Sequence, residues 1–132
     1  ENIAHKVSFW QGDACNLKPN FNSYDLIMAT NLIDRLYNPK LFLETIHKRL
    51  NSDGILMITT PYSWQESSTQ KEMWLGGFVD KNGNEIKTLN TLKKILNENF
   101  ELIHLKDIEF VIKESARKFQ HTIAQCSIWK KR

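Results

Sequence analysis

The sequence predicts an α/β fold, with a mostly parallel sheet flanked by helices and closed by an antiparallel strand pair near its C-terminus. Three observations carry this. Two nearly continuous apolar runs, residues 24–30 (YDLIMAT) and 55–60 (ILMITT), have the composition of strands covered on both faces. A helical repeat lies between them and a second follows the later run. Residues 121–129 alternate as an antiparallel strand does. Strands alternating with helices define the α/β class.

In chain order, residues 6–10 (KVSFW) alternate and are β-prone, so a strand is expected there, ending at Gln11-Gly12-Asp13. Residues 18–23 (KPNFNS) are a loop by composition. Asn38-Pro39 opens the clearest helix, because Asn caps well and Pro suits the first helical position. Phe42, Leu43, Ile46 and Leu50 recur at helical spacing, Lys48 and Arg49 suit the last turn, and residues 51–54 (NSDG) stop the helix. Pro61 ends the strand at 55–60. Residues 62–87 then form a long polar and aromatic stretch with turns at Gly76-Gly77 and Asn82-Gly83, a length typical of binding loops. Thr88 is placed to cap a second helix whose apolar face is Leu89, Leu92, Ile95 and Leu96. One more strand is expected within residues 101–112, and the last at 121–129.

Composition narrows the function classes. The 132 residues are 41% hydrophobic and 25% charged, ordinary values for a globular domain rather than a disordered chain. No apolar run nears the roughly 18–20 residues that span a membrane, and residues 1–5 lack a secretory pattern, so no membrane partner and a cytoplasmic location are expected. The net charge of +3 is concentrated in Lys130, Lys131 and Arg132, read as a solvated end, and no wide basic face points to nucleic acid. Cys15 and Cys126 form no metal-type pair and are expected to be free thiols; no metal is expected.

Ligands of such sheets bind beyond the carboxyl ends of the strands. The positions that follow the strands are Gly12-Asp13-Ala14, residues 31–35 (NLIDR) and residues 61–64 (PYSW). Each mixes polar and aromatic residues, as a binding cleft does.

These residues carry a resemblance. A strand ending in Gly12-Asp13-Ala14, then YDLIMATNLIDRL (24–36), then LNSDGILMITTP (50–61), resembles the third, fourth and fifth strands of class I (Rossmann-like) S-adenosylmethionine-dependent methyltransferases. More specifically, FWQGDACNLKP, NLIDRLYNP, TTPYSW, WLGG and FVIKESARKFQHTIAQCSIW are similar to the C-terminal methyltransferase domain of the ovothiol-biosynthesis family, the 4-mercaptohistidine N-methyltransferases joined to 5-histidylcysteine sulfoxide synthases. The similarity runs from about Val7 to Trp129. It implies an incomplete class I sheet: residues 1–132 form a partial methyltransferase domain from the third strand onward. The strand and Gly-rich turn that carry the methionine part of the cofactor are not in the sequence, nor is the acidic residue that holds the ribose. Either a homodimer or a missing N-terminal segment is expected to cover the open sheet.

The resemblance implies S-adenosylmethionine as cofactor, a histidine thiol derivative as small-molecule substrate, and methyl transfer to an imidazole nitrogen by in-line displacement. Asp13 would accept from the adenine amine, with Ala14 beside it; a turn-forming Asp is the alternative. Asn31 and Leu32 would lie beside the sulfonium, unless Asn31 only caps a helix. Asp34 and Arg35 would orient a zwitterionic substrate, or pair with each other on the surface. Tyr62, Trp64 and Trp74 would enclose the substrate ring, or simply pack the loop. Arg117, Gln120 and His121 belong to a polar run, residues 117–121, expected as the turn between the last strands. His121 is a candidate general base and Asn31 the other catalytic candidate; a structural histidine is the alternative. Two rival functions stay open: a non-catalytic fragment or interaction module, and another small-molecule methyltransferase of the same fold. A dehydrogenase would show G-x-G-x-x-G, which does not occur.

Overall fold

The computed structural model describes residues 3–132. Its elements are strand β1 (Tyr24–Thr30), helix α1 (Pro39–Thr45), β2 (Leu50–Thr60), the short strands β3 (Phe78–Val79) and β4 (Glu85–Ile86), helix α2 (Thr88–Leu96), β5 (Phe100–Ser115) and β6 (Lys118–Lys131). The main sheet has the order β1-β2-β6-β5, and β3 and β4 form a separate hairpin. β1 and β2 are parallel, whereas β2–β6 and β5–β6 are antiparallel. The sheet is therefore mixed rather than mostly parallel.

Both helices pack on one sheet face. Ile27 and Ala29 from β1, Leu56 and Ile58 from β2 and Trp129 from β6 meet Phe42, Leu43, Leu92 and Leu96 in one core. α1 begins as its sequence dictates: the Asn38 side chain accepts from Leu41 N at 3.1 Å with Pro39 at the first position. Its end tightens into a 3₁₀ turn, Ile46–Arg49. β2 then starts at Leu50, earlier than expected. Residues 51–54 do not separate helix from strand; they form an irregularity where the pairing jumps from Tyr24↔Leu50 to Leu26↔Ile55, with Asp53 at φ 61°.

Other expectations need correction. Residues 6–10 are not a strand: Ala4–Lys6 is a 3₁₀ turn and Phe9 is 93% exposed. A strand needs a neighbour's hydrogen bonds, and among the described residues none runs beside this segment. β1 is not covered on both faces. Tyr24, Leu26 and Met28 alternate on the face away from the helices and are exposed. Thr88 does not cap α2; Lys87 holds the cap position, and the buried Thr88 hydroxyl accepts from Trp64 Nε1 at 3.0 Å. The polar turn between the last strands shrinks to Ala116 and Arg117, because the β5–β6 ladder closes at Ser115↔Lys118. Residues 118–121 are thus strand, and His121 pairs with Val111. The terminal cations are tied down: Lys131 Nζ donates to Leu50 O at 2.6 Å and Arg132 Nε to Asn97 O at 3.0 Å. Cys15 and Cys126 are buried free thiols. Among the described residues no helix is long and apolar enough to cross a membrane, and no cluster of metal-type ligands occurs.

Candidate cofactor and acceptor sites

The turns after β1 and β2 lie side by side, and hydrogen bonds join them. Asn31, at φ 50°, donates from its backbone N to Thr59 O at 2.7 Å, and Thr59 Oγ1 donates to Asn31 Oδ1 at 3.3 Å. Tyr62, at φ 56°, is the matching residue after β2. Non-glycine residues in this left-handed region are strained and tend to cluster at functional sites. Asp34 is 1% exposed. Its Oδ2 accepts from Ser63 N at 3.0 Å and Ser63 Oγ at 3.1 Å. Arg35 reaches over the same turn, with Nη1 donating to Ser63 O at 2.6 Å. Asp34 thus holds the two turns together, and Arg35 stands at the rim.

These turns form one wall of a cleft of about 480 Å³, lined by Asn31, Asp34, Arg35, Pro61 and Ser63 on one side and by Phe110, Ile112 and residues 120–123 on the other. Five residues singled out in the sequence, Asn31, Asp34, Arg35, Gln120 and His121, meet here. His121 Nε2 lies 3.2 Å from Glu109 Oε2. Since a carboxylate only accepts, this contact in the neutral ring requires the proton on Nε2 and leaves Nδ1 as the lone pair. Both side chains are exposed, so the pair adds little to stability.

A second groove, about 330 Å³, lies on the other side of the turn after β1. Trp10, Ala14, Leu17, Phe21, Ile27 and Leu32 are among its lining residues. Asp13 stands next to Ala14. Its Oδ1 accepts from Cys15 N at 2.9 Å and its Oδ2 from Tyr37 Oη at 2.6 Å. A carboxylate has about four acceptor positions, so Asp13 keeps capacity for a further donor. An apolar slot beside a carboxylate suits a flat base with an exocyclic amine.

The remaining candidates lie elsewhere. Trp64 is buried against Thr88. Trp74 Nε1 donates to Thr69 O at 2.8 Å, with Lys71 Nζ 6.0 Å from its ring. These two indoles hold the 62–87 loop together. Tyr62 donates to Gln125 Oε1 and lines a separate hollow with Ile86 and Lys87. Arg117 is at the exposed tip of the β5–β6 hairpin, outside the cleft. Ser63 was expected only as one of the positions after a strand, and Tyr37, Glu109 and Phe110 carried no expected role. Tyr37 and Ser63 lay inside quoted runs, NLIDRLYNP and TTPYSW. Glu109 becomes visible only once the hairpin register is known.

Two tyrosines give a pH prediction. Burial first, then the Asp107 charge, pushes the Tyr62 phenol up to about 12 from 10.0. Its bond to Asp13, then burial, pushes Tyr37 up to about 12. A raised phenol pKa stabilises the fold below the unfolded value, and that contribution is lost as pH rises from about 10 to about 12. Denaturation midpoints should therefore fall across that window, and Tyr62→Phe should flatten the fall. Midpoints equally steep in both proteins would exclude Tyr62 as a cause.

A Rossmann-like sheet with parallel strands β1 and β2 and a cleft at their carboxyl ends is the class I methyltransferase fold. The chain belongs to the methyltransferase-domain family, whose profile matches residues 1–125. No curated protein sequence matches it. Its fold resembles that of a protein from a structure of the conversion of a disulfide bond into a thioacetal group during echinomycin biosynthesis (10% identity, TM-score 0.64, covering 97% of this chain and 58% of that one). It also resembles the N-methyltransferase NodS of Bradyrhizobium japonicum in complex with S-adenosyl-L-homocysteine (13% identity, TM-score 0.54, 91% and 52%). A third is a possible histamine N-methyltransferase from Thermotoga maritima (18% identity, TM-score 0.53, 98% and 67%). The chain therefore spans 58% and 52% of the first two. S-adenosylmethionine is the cofactor of this family, and it supplies an electrophilic methyl group on sulfur. The groove beside Ala14 and the cleft are bordered by neighbouring residues of the turn after β1, Leu32 and Asn31 respectively.

Proposed function

We propose that this chain carries the adenine side of the cofactor site and the acceptor cleft of an S-adenosylmethionine-dependent N-methyltransferase. The acceptor is an imidazole nitrogen of a thiol-substituted histidine, and residues 1–132 act within one domain. The observation that carries this is the cleft at Asn31. It has apolar walls at Phe110, Ile112 and Pro61 and polar groups at Gln120, His121 and Arg35. Such a slot suits a flat polar ring and opens beside the turn that borders the adenine groove. S-adenosylmethionine bound beside Asp13 and Ala14 would supply the methyl group, and the cleft would hold the acceptor nitrogen with its lone pair free. Methylation of the unprotonated nitrogen would leave a cationic ring, and His121 Nδ1 can receive the proton that the other ring nitrogen then releases. Holding the nucleophile in line supplies most of the acceleration. Similarity to NodS and to the possible histamine enzyme supports nitrogen as the acceptor atom, and the runs quoted above support the thiol-histidine. Trp64, Trp74 and Arg117 have no part in this site, and Tyr62 only borders it.

Calorimetric titration with S-adenosylhomocysteine tests the reading. Saturable binding, weakened about tenfold or more in Asp13→Ala, is expected for loss of one hydrogen bond to a charged group. Methyl transfer to 4-mercaptohistidine then tests the acceptor. A folded, monodisperse chain that binds no cofactor would sink the catalytic reading and leave a non-catalytic module. Binding without transfer to the thiol-histidine would point to another small-molecule acceptor.

A further inference from the structure

Strand pairing and cleft lining together locate a feature that no side chain marks. β2 runs beside β6 only as far as the Thr60↔Gln125 pair, because Pro61 has no N–H to extend the ladder. β6 continues to Lys118, paired with β5 alone. Among the described residues, 118–124 thus present a backbone edge with no strand beside it, on which alternate residues point N–H and C=O outward. Four consecutive residues of β6, Gln120, His121, Thr122 and Ile123, line the cleft. Successive side chains of a strand point to opposite faces. Gln120 and Thr122 pair with Ile112 and Phe110, which also line the cleft, so it covers that face of the β5–β6 hairpin; His121 and Ile123 border it too, so it also reaches the strand's open edge. The open edge faces Asn31 and Arg35 across the cleft.

Arg35 has donors to spare. A guanidinium has five N–H groups. Nη1 donates to Asp34 O at 3.0 Å and Ser63 O at 2.6 Å, and Nη2 to Ser63 Oγ at 3.3 Å. Among the described residues Nε–H and one Nη2–H have no partner, and the side chain is 40% exposed.

We propose that main-chain chemistry grips the acceptor here. The edge of β6 at residues 120–123 hydrogen-bonds the ammonium or amide of an α-amino acid, and the two spare N–H donors of Arg35 take its carboxylate. Open sheet edges bind extended backbones in this way, and guanidinium forks suit carboxylates. This rests on the cleft being the acceptor site and adds the elements that recognise the acceptor.

Nuclear magnetic resonance on the isotope-labelled chain tests it. The probes are L-histidine, histamine, which keeps the ring but has no carboxylate, and L-histidine methyl ester, which removes the carboxylate charge without touching the protein. L-histidine is expected to move the backbone amides of residues 120–123 and to bind roughly tenfold tighter than either analogue. Arg35→Lys is expected to bring L-histidine down to the level of histamine. Equal affinities, shifts confined to other residues, or no binding of L-histidine would overturn the proposal. So would concentration-dependent shifts of these amides without ligand, which would assign the edge to a second copy of the chain. Titrating S-adenosylhomocysteine into the same sample reads the methyltransferase assignment separately. Cofactor failure with histidine binding intact would sink that assignment and leave the edge site standing.

Discussion

Gly76→Ala is expected to destabilise the chain by about 3 kcal/mol, at the upper end of overpacking penalties. A Cβ at position 76 would lie 2.2 Å from Thr88 N, 2.5 Å from its Oγ1 and 2.6 Å from its Cα. Two of these atoms are backbone at the start of α2, so a side-chain rotation cannot relieve the clash. Thr88 is also the acceptor for Trp64 Nε1, and both are buried beside Leu75. Moving Thr88 would break that bond inside the core and release the 62–87 loop from α2. A urea unfolding midpoint near that of the unmodified chain would show that α2 can shift as a body.

Asp34→Ala is expected to cost about 2 kcal/mol, because the buried carboxylate accepts from both the Ser63 N–H and its hydroxyl, while Ser63 and Arg35 are themselves exposed and can turn to water. The Ser63 N–H would lose its partner, and the Arg35 guanidinium would lose the carboxylate 3.7 Å away. Ser63→Ala removes only the hydroxyl contacts and should cost about 1 kcal/mol. The two variants separate stability from site geometry. Asp34→Ala should also weaken L-histidine binding in the cleft, since Arg35 then loses its support. Binding unchanged in a destabilised Asp34→Ala chain would show that Arg35 keeps its place through Ser63 alone.

Much of the fold was legible because local rules governed it. Asn38-Pro39 started α1 in the sequence and does so in the structure. Residues 24–30 and 55–60 are strands, paired in parallel. The apolar spacing of Leu92 and Leu96 placed them in the core. The post-strand rule collected Asn31, Asp34 and Arg35 at one cleft, since the ends of adjacent parallel strands must lie together.

What the rules missed were quantities that depend on neighbours. Residues 6–10 have β-prone side chains, yet a strand exists only as half of a ladder, and no neighbour runs beside them among the described residues. YDLIMAT is apolar throughout, but one face of β1 is open; composition cannot count helices on the far side of a sheet. Residues 117–121 are polar, which suggested a turn, whereas polar residues also suit a strand in solvent. Trp64 and Trp74 read equally well as binding aromatics or as packing, and only their bonds to Thr88 and Thr69 decide for packing.

The sequence by itself determined the types of β1, α1, β2, α2, β5 and β6, the α/β class, the methyltransferase family and the turns after β1 and β2, because each depends on a few adjacent residues. The tertiary structure alone decided which side chains share a cleft, that Asp34 serves Ser63, that Glu109 meets His121, and that the edge of β6 is open. Those are contacts between residues 12 to 29 positions apart, and no local pattern encodes a register set by where a neighbouring strand stops.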